Sequence, residues 1–205
     1  MPSFLHEIYD HQDFIEADLE GNEYKSCKFI ECDFKNVLME GVKTEGCSFA
    51  GCSFQGARLN GSTHLESSFT NCRFTYAHLF NAEFQRCRMM GSSFIETNLM
   101  GIQIQSGDWS YTQLRFCDLK GVNFSGTNLA HADLSYCSLE KATFNKANLS
   151  HALLSHARLK GADLREALVE GIDFKGFSLK DVKLDMFQAI FVARAYGALI
   201  EGDEP

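Results

Sequence analysis

The chain has 205 residues, 45% of them hydrophobic, and carries a formal net charge of −8. That length suits one domain or one continuous array, and the negative balance argues against a binder of nucleic acid or anionic membrane, which needs a basic footprint. The start, MPSFLHEIYDHQD, lacks a basic-then-apolar leader, no apolar run approaches membrane-spanning length, and eight cysteines without an export signal point to a reducing cytoplasm.

In chain order, residues 1–13 read as an N-terminal cap, because a repeat array must cover its exposed ends. From Phe14 to Leu184 a centre recurs every five residues without insertion or deletion. Of these thirty-five centres twenty-seven are Leu or Phe; the others are Tyr24, Met39, Thr44, His64, Met89, Ile104, Trp109 and Val169. Two residues before each centre sits a small or modest side chain, such as Ala17, Cys27, Ala77 or Ala132. A period of five fits neither a helix nor a plain strand. It fits a short extended segment, whose residues two apart share a face, followed by a tight corner.

Four corners per coil would stack every twentieth residue. The column Leu19, Met39, Leu59, Leu79, Leu99, Leu119, Leu139, Leu159, Leu179 is leucine except once, whereas a step of fifteen mixes types. The expected fold is therefore an all-β solenoid with four faces. The blocks Ala132-Asp133-Leu134-Ser135-Tyr136, Ala147-Asn148-Leu149-Ser150-His151 and Ala162-Asp163-Leu164-Arg165-Glu166 resemble the A(D/N)LXX unit of the pentapeptide-repeat family. The resemblance implies a right-handed quadrilateral β-helix over residues 14–184.

Candidates for chemistry are few. Cys27, Cys32, Cys47 and Cys52 form two C-x4-C pairs, but all eight cysteines occupy the small inward position of their repeat, so they read as buried packing residues and not as metal ligands. His131 and His151, twenty apart, should stack on one corner with His156 nearby, as a solvated ladder without a carboxylate or thiol to complete a metal site. Thr44 and His64 follow one another in one core column, which predicts a locally loosened or bulged face or a partner contact. Trp109 with Gly107 two residues before it reads as size compensation in the core. No nucleophile elbow, carboxylate pair or HExxH occurs, and a filled tube leaves no substrate cavity. The expectation is a non-enzyme with no catalytic residues, no metal and no cofactor.

After Leu184 the period stops. Asp185 reads as a helix cap with Gln188 reaching back, the helix running to about Tyr196 and stopping at Gly197. Residues 185–205 thus form a C-terminal helix and tail. The helix is apolar nearly all round, so one side can cover the last coil while the rest needs a partner. Leu184, Met186, Phe187, Ile190, Phe191, Tyr196, Leu199 and Ile200 are the expected contacts of a two-fold homodimer. Residues 1–45 carry a net −7, residues 46–162 a net +3 and residues 163–205 a net −4, giving such a dimer an acidic waist and acidic tips.

Almost nine coils at ~4.8 Å each give a rod of about 42 Å, and a dimer of roughly 80–100 Å, comparable to ~25 base pairs of duplex. The stretch from Gly171 through Val182-Lys183-Leu184-Asp185-Met186-Phe187-Gln188-Ala189 to Tyr196-Gly197 resembles the quinolone-resistance subgroup, the Qnr and MfpA-like proteins. That resemblance implies a DNA-mimicking dimer that binds DNA gyrase or topoisomerase IV and protects or modulates it, with no direct nucleic-acid or membrane binding. The acids near the waist, Asp163, Glu166, Glu170, Asp173, Asp181 and Asp185, are the expected contacts. The unbroken register is closer to the loopless MfpA-like form, and the charge deficit against a duplex restricts mimicry to the waist. Two other readings stay open: an immunity factor against a topoisomerase toxin, and a scaffold or adaptor with no topoisomerase role.

Overall fold

The computed structural model describes residues 2–200, and its backbone advances one coil every twenty residues. Ile8 pairs with Lys28, and the pairing continues through Ser48, Ser68, Arg88, Asp108, Asn128 and Asn148 to Leu168, always parallel and always twenty apart. Three-residue strands form a six-stranded sheet from Ser3–Leu5 to Gln103–Gln105 and a four-stranded sheet from Ile8–Asp10 to Ser68–Thr70. The remaining sides are held by isolated bridges in the same register. The result is a four-sided tube. We number its faces by their central inward residues: the first around Tyr24, Thr44 and His64, the second around Phe29 and Phe49, the third around Phe34 and Phe54, the fourth around Met39 and Leu59.

The local chemistry explains the period. From Asn22 to Phe174 the centre and, Gly107 apart, the residue two before it are buried, and the residue two after almost every centre turns the corner in the left-handed region, as at Ser26 (φ 51°) and Gly41 (φ 63°). Asp or Asn before the centre accepts the amide of the residue after it: Ser135 N to Asp133 Oδ1 is 3.0 Å, and Ser150 N to Asn148 Oδ1 is 3.0 Å. Such an Asx turn shapes the corner locally, which is the physical content of the Asp/Asn in the repeat.

The tube is filled by ladders. Phe14, Phe34, Phe54, Phe74 and Phe94 stack at centroid spacings of 4.8 to 4.9 Å on the third face. Further along, Leu and Ala replace most rings, and Trp109 sits fully buried at the change, stacked on Phe94 and edge-on to Phe84. Gly107 faces the carbonyl oxygen of Cys87 so closely that a Cβ there would collide with it. The expected pairing of large Trp109 with small Gly107 is therefore a backbone approach as well as a volume exchange. Trp109 Nε1 and Thr127 Oγ1 are buried without a hydrogen-bond partner among the described residues.

One expectation is corrected. The described part of the expected N-terminal cap, residues 2–13, lies in the register of the array itself: Phe4 pairs with Tyr24 and Tyr9 with Phe29, their rings stacked at 4.9 and 4.8 Å. Phe4 and Tyr9 fall in phase with Phe14, so the same five-residue rule that builds the later coils folds these residues into the first.

At the other end, α1 spans Met186–Ala195. Asp185 caps it, accepting from Phe187 N and Gln188 N, while Gln188 Oε1 accepts from Asp185 N, the reciprocal capping box expected from the sequence. Gln188 is buried and its Nε2 donates to the Ala167 carbonyl at 3.1 Å, pinning the helix to the last coil. Gly197 turns out of the helix at φ 90°. Glu201, Asp203 and Glu204 lie outside the described residues.

Candidate interaction surface

The buried polar groups are spent on structure. All eight cysteines are free and buried. Their Sγ atoms donate to backbone carbonyls, most of them to one a coil and three residues earlier, as Cys137 does to Leu114 O at 2.8 Å. Burial pushes the Cys117 and Cys137 thiols up to about 12 and the Cys47 and Cys87 thiols up to about 11. Thiols so reluctant to ionise are poor nucleophiles and poor ligands, in keeping with the packing reading. Among the described residues no group of three or more His, Cys, Asp or Glu is placed to hold a metal ion.

Thr44 and His64 do not loosen or bulge their face, because Thr44 pairs with His64 in the regular register. A chain of hydroxyls satisfies them instead. Thr44 Oγ1 donates to Ser67 Oγ at 2.9 Å, and Ser67 Oγ donates to Leu65 O at 3.0 Å. Thr44 has then used its proton, so His64 Nδ1 must donate to Thr44 Oγ1 (2.8 Å), leaving Nε2 to accept from Ser62 Oγ (2.9 Å). This ordering assigns the neutral Nδ1–H tautomer. Burial holds the imidazole pKa down to about 3, and its ring stacks on Phe84 at 4.8 Å.

His131 and His151 do stack on one corner, 5.0 Å apart, with Tyr111 4.7 Å from His131 at the other end. His156 stands on the next corner, stacked on Tyr136, which stacks on Phe116. Arg115 lies over both Phe116 and Tyr136. The second ladder, and the place of Tyr111 on the histidine one, escaped the sequence reading, although the spacing of twenty between Phe116, Tyr136 and His156 and between Tyr111 and His131 would have disclosed both.

The residues expected at a dimer contact divide into two sets. Leu184 and Phe191 pack partly buried against the core, and Ile190 is half-buried. Met186, Phe187, Tyr196 and Leu199 are exposed, Met186 at 81% and Leu199 at 96%, and Ile200 also faces solvent. A large apolar set left outside the fold is unusual for an isolated chain.

The six waist acids do not share a face. Asp163 is buried and holds Arg165 through both oxygens, at 2.9 and 2.6 Å, a pairing that pulls its carboxyl below the ordinary range. Asp185 is the helix cap, and its second oxygen accepts the Glu166 amide at 2.8 Å, which lowers its pKa as well. Both are committed internally. Glu166, Glu170, Asp173 and Asp181 are exposed at four different columns of the tube, with Glu166 3.9 Å from Lys146.

Comparison with known proteins matches this architecture. The signature described as a pentapeptide repeat region covers residues 112–188, and that of pentapeptide repeats (8 copies) covers residues 27–63 and 67–102. Curated proteins provide no match. Among solved structures, a trypsin-treated form of QnrB1, described as a plasmid-mediated fluoroquinolone resistance protein, is similar over 97% of this chain and 99% of its own, with a TM-score of 0.86 at 20% identity. Full-length QnrB1 superposes over 96% of this chain and 100% of its own, with a TM-score of 0.74 and 20% identity. Repeat signature, twenty-residue coil and four-sided tube together place the chain in the pentapeptide-repeat family.

Proposed function

We propose that this protein is a non-enzymatic, homodimeric binder of bacterial type II topoisomerase, DNA gyrase or topoisomerase IV, acting at the enzyme's DNA site and giving resistance to quinolones or to a topoisomerase-directed toxin. The observation that carries the reading is the exposed apolar face of α1, set on the end of an uninterrupted rod of a length suited to standing in for duplex DNA. The whole-length likeness to a fluoroquinolone resistance protein supports it, as does the core, which is filled by stacked rings and aliphatic side chains and offers binding surface in place of a reaction cleft.

In the dimer, Met186, Phe187, Tyr196 and Leu199 meet their copies across a two-fold axis, while Phe191 and Gln188 fasten α1 to its own coil. The contact acids are Glu166, Glu170, Asp173 and Asp181, with Asp163 and Asp185 shaping the end of the rod and capping α1. Mimicry on this arrangement is local to the waist, since the central coils are close to neutral.

A supercoiling assay with purified gyrase, with and without ciprofloxacin, tests the reading. Loss of supercoiling, or less linear DNA in the drug, is the expected result. No change at micromolar dimer, with topoisomerase IV equally unaffected, would overturn it in favour of a scaffold. Dimerisation is tested apart: Met186→Asp combined with Phe187→Asp should give monomers in sedimentation.

A further inference from the structure

The fourth face of the rod carries a local cluster of bases. In the coils from Lys120 to Asp181 its outer edge gathers Lys120, Lys141, Arg158, Lys160 and Lys180 into two adjoining grooves that share Glu140 and Lys160. Glu140 lies 3.9 Å from both Lys120 Nζ and Arg158 Nε, so one carboxylate is divided between two cations. Asp181 lines the groove that holds Lys120 and Lys141. Five bases against two acids line these grooves in a chain whose net charge is −8.

The same edge continues toward the N-terminus as an apolar strip. Phe80 and Met100 stand forty and twenty residues before Lys120 in one column and are 43% and 60% exposed. Across the face, the stacked rings of Phe116 and Tyr136 form the opposite rim, with Tyr76 exposed further along the same corner. The floor between is the flat ladder Arg58, His78 and Asn98, followed by Asp118, Ser138 and Arg158. Apolar groups at one end and cations at the other thus lie along a single straight face.

We propose that this face docks an acidic, apolar segment of a partner protein: its hydrophobic side chains settle against Tyr76, Phe80, Met100 and Phe116, and its carboxylates meet Lys120, Lys160 and Lys180. Charge complementarity selects the occupant. Duplex DNA answers the cations but not the apolar strip, which offers its phosphates nothing. A second copy is engaged through α1 at the end of the rod in the proposed dimer and does not need this face. Burying the apolar strip supplies affinity, and the cations supply orientation and rate of encounter. The surface does not depend on topoisomerase binding.

The test uses the whole protein and a fluorescein-labelled sixteen-residue peptide of Glu interleaved with Leu and Phe, read by anisotropy, beside an all-Glu peptide and a labelled 20-base-pair duplex. The Glu/Leu/Phe peptide should bind, with Kd at least tenfold below those of the other two probes. Lys160→Glu with Lys180→Glu, and separately Phe80→Ser with Met100→Ser, should each raise that Kd by tenfold or more, while Lys146→Glu on another corner leaves it unchanged. Circular dichroism checks that each variant keeps its fold. The proposal is overturned if wild-type protein does not bind the peptide at 100 micromolar, if the duplex or the all-Glu peptide binds as tightly, or if either pair of substitutions has no effect.

Discussion

His64→Phe should remove an acid sensitivity that the wild-type protein carries in its core. The wild-type imidazole is fully buried and neutral, with a folded pKa of about 3, against about 6.5 in an unfolded chain. Below pH 6.5 the unfolded chain takes up a proton that the folded chain refuses, so the neutral histidine's contribution is complete above that pH and is lost as pH falls toward 3. The slope is about 1.4 kcal/mol per pH unit, so between pH 7 and pH 5 the protein loses about 2 kcal/mol from this residue alone. Phenylalanine continues the column formed with Phe84 and does not titrate, although it strips Ser62 of its acceptor and lowers stability at pH 7. Urea unfolding followed by circular dichroism at pH 7 and pH 5 reads the difference. All other titrating groups are common to both proteins, so the change between the two pH values should be about 2 kcal/mol smaller in the variant. Equal changes in the two proteins would mean that His64 is protonated in the fold, and would refute both the tautomer assignment and the closed hydroxyl chain.

Other outcomes follow from single contacts. The eight thiols should be silent toward dithiobis(nitrobenzoate) in the native protein and all titrate in guanidinium, since each is buried and those at 47, 87, 117 and 137 have pKa values of about 11 to 12. Gly107→Ala drives a Cβ into the Cys87 carbonyl at a backbone angle of φ +105° and should cost on the order of 3 kcal/mol in urea unfolding; an unchanged midpoint would show that the backbone yields there. Asp185→Ala removes acceptors from three amides, those of Glu166, Phe187 and Gln188. It should lower helical ellipticity and weaken dimers even where no topoisomerase is present, whereas Glu170→Gln and Asp173→Asn should leave both intact.

The tube was legible because its rule is local and repeated. Each unit needs an inward pair two apart and a residue that tolerates the left-handed corner, and a column of like side chains twenty apart reports the number of faces. The same rule reached further than the reading that began at Phe14: Phe4 and Tyr9 obey it, and only the expectation of a cap obscured them. Thr44 and His64 violate the apolar rule, and their meaning lay in Ser62 and Ser67, which hold ordinary small-residue positions. Nothing in a one-dimensional pattern marks a serine as the partner of a particular histidine until the coils are stacked.

The surface is where sequence reasoning was weakest, for a physical reason. An acid before a centre and an acid at a corner look alike in sequence, yet the first is turned along the backbone and the second into solvent. Asp163 precedes its centre, so one oxygen is taken by the Arg165 amide and both by the Arg165 guanidinium. Glu166 occupies the corner and stays exposed. Sorting charges by place in the repeat therefore separates those that hold a turn from those wholly free to meet a partner; Asp173 does both, its Oδ1 on the Lys175 amide and its side chain exposed. By that rule Asp133 belongs with Asp163, its Oδ1 holding the Ser135 amide and its Oδ2 3.7 Å from Arg115. The lysines at 120, 160 and 180 follow their centres and project outward, which is why the fourth face keeps a basic edge on an acidic protein.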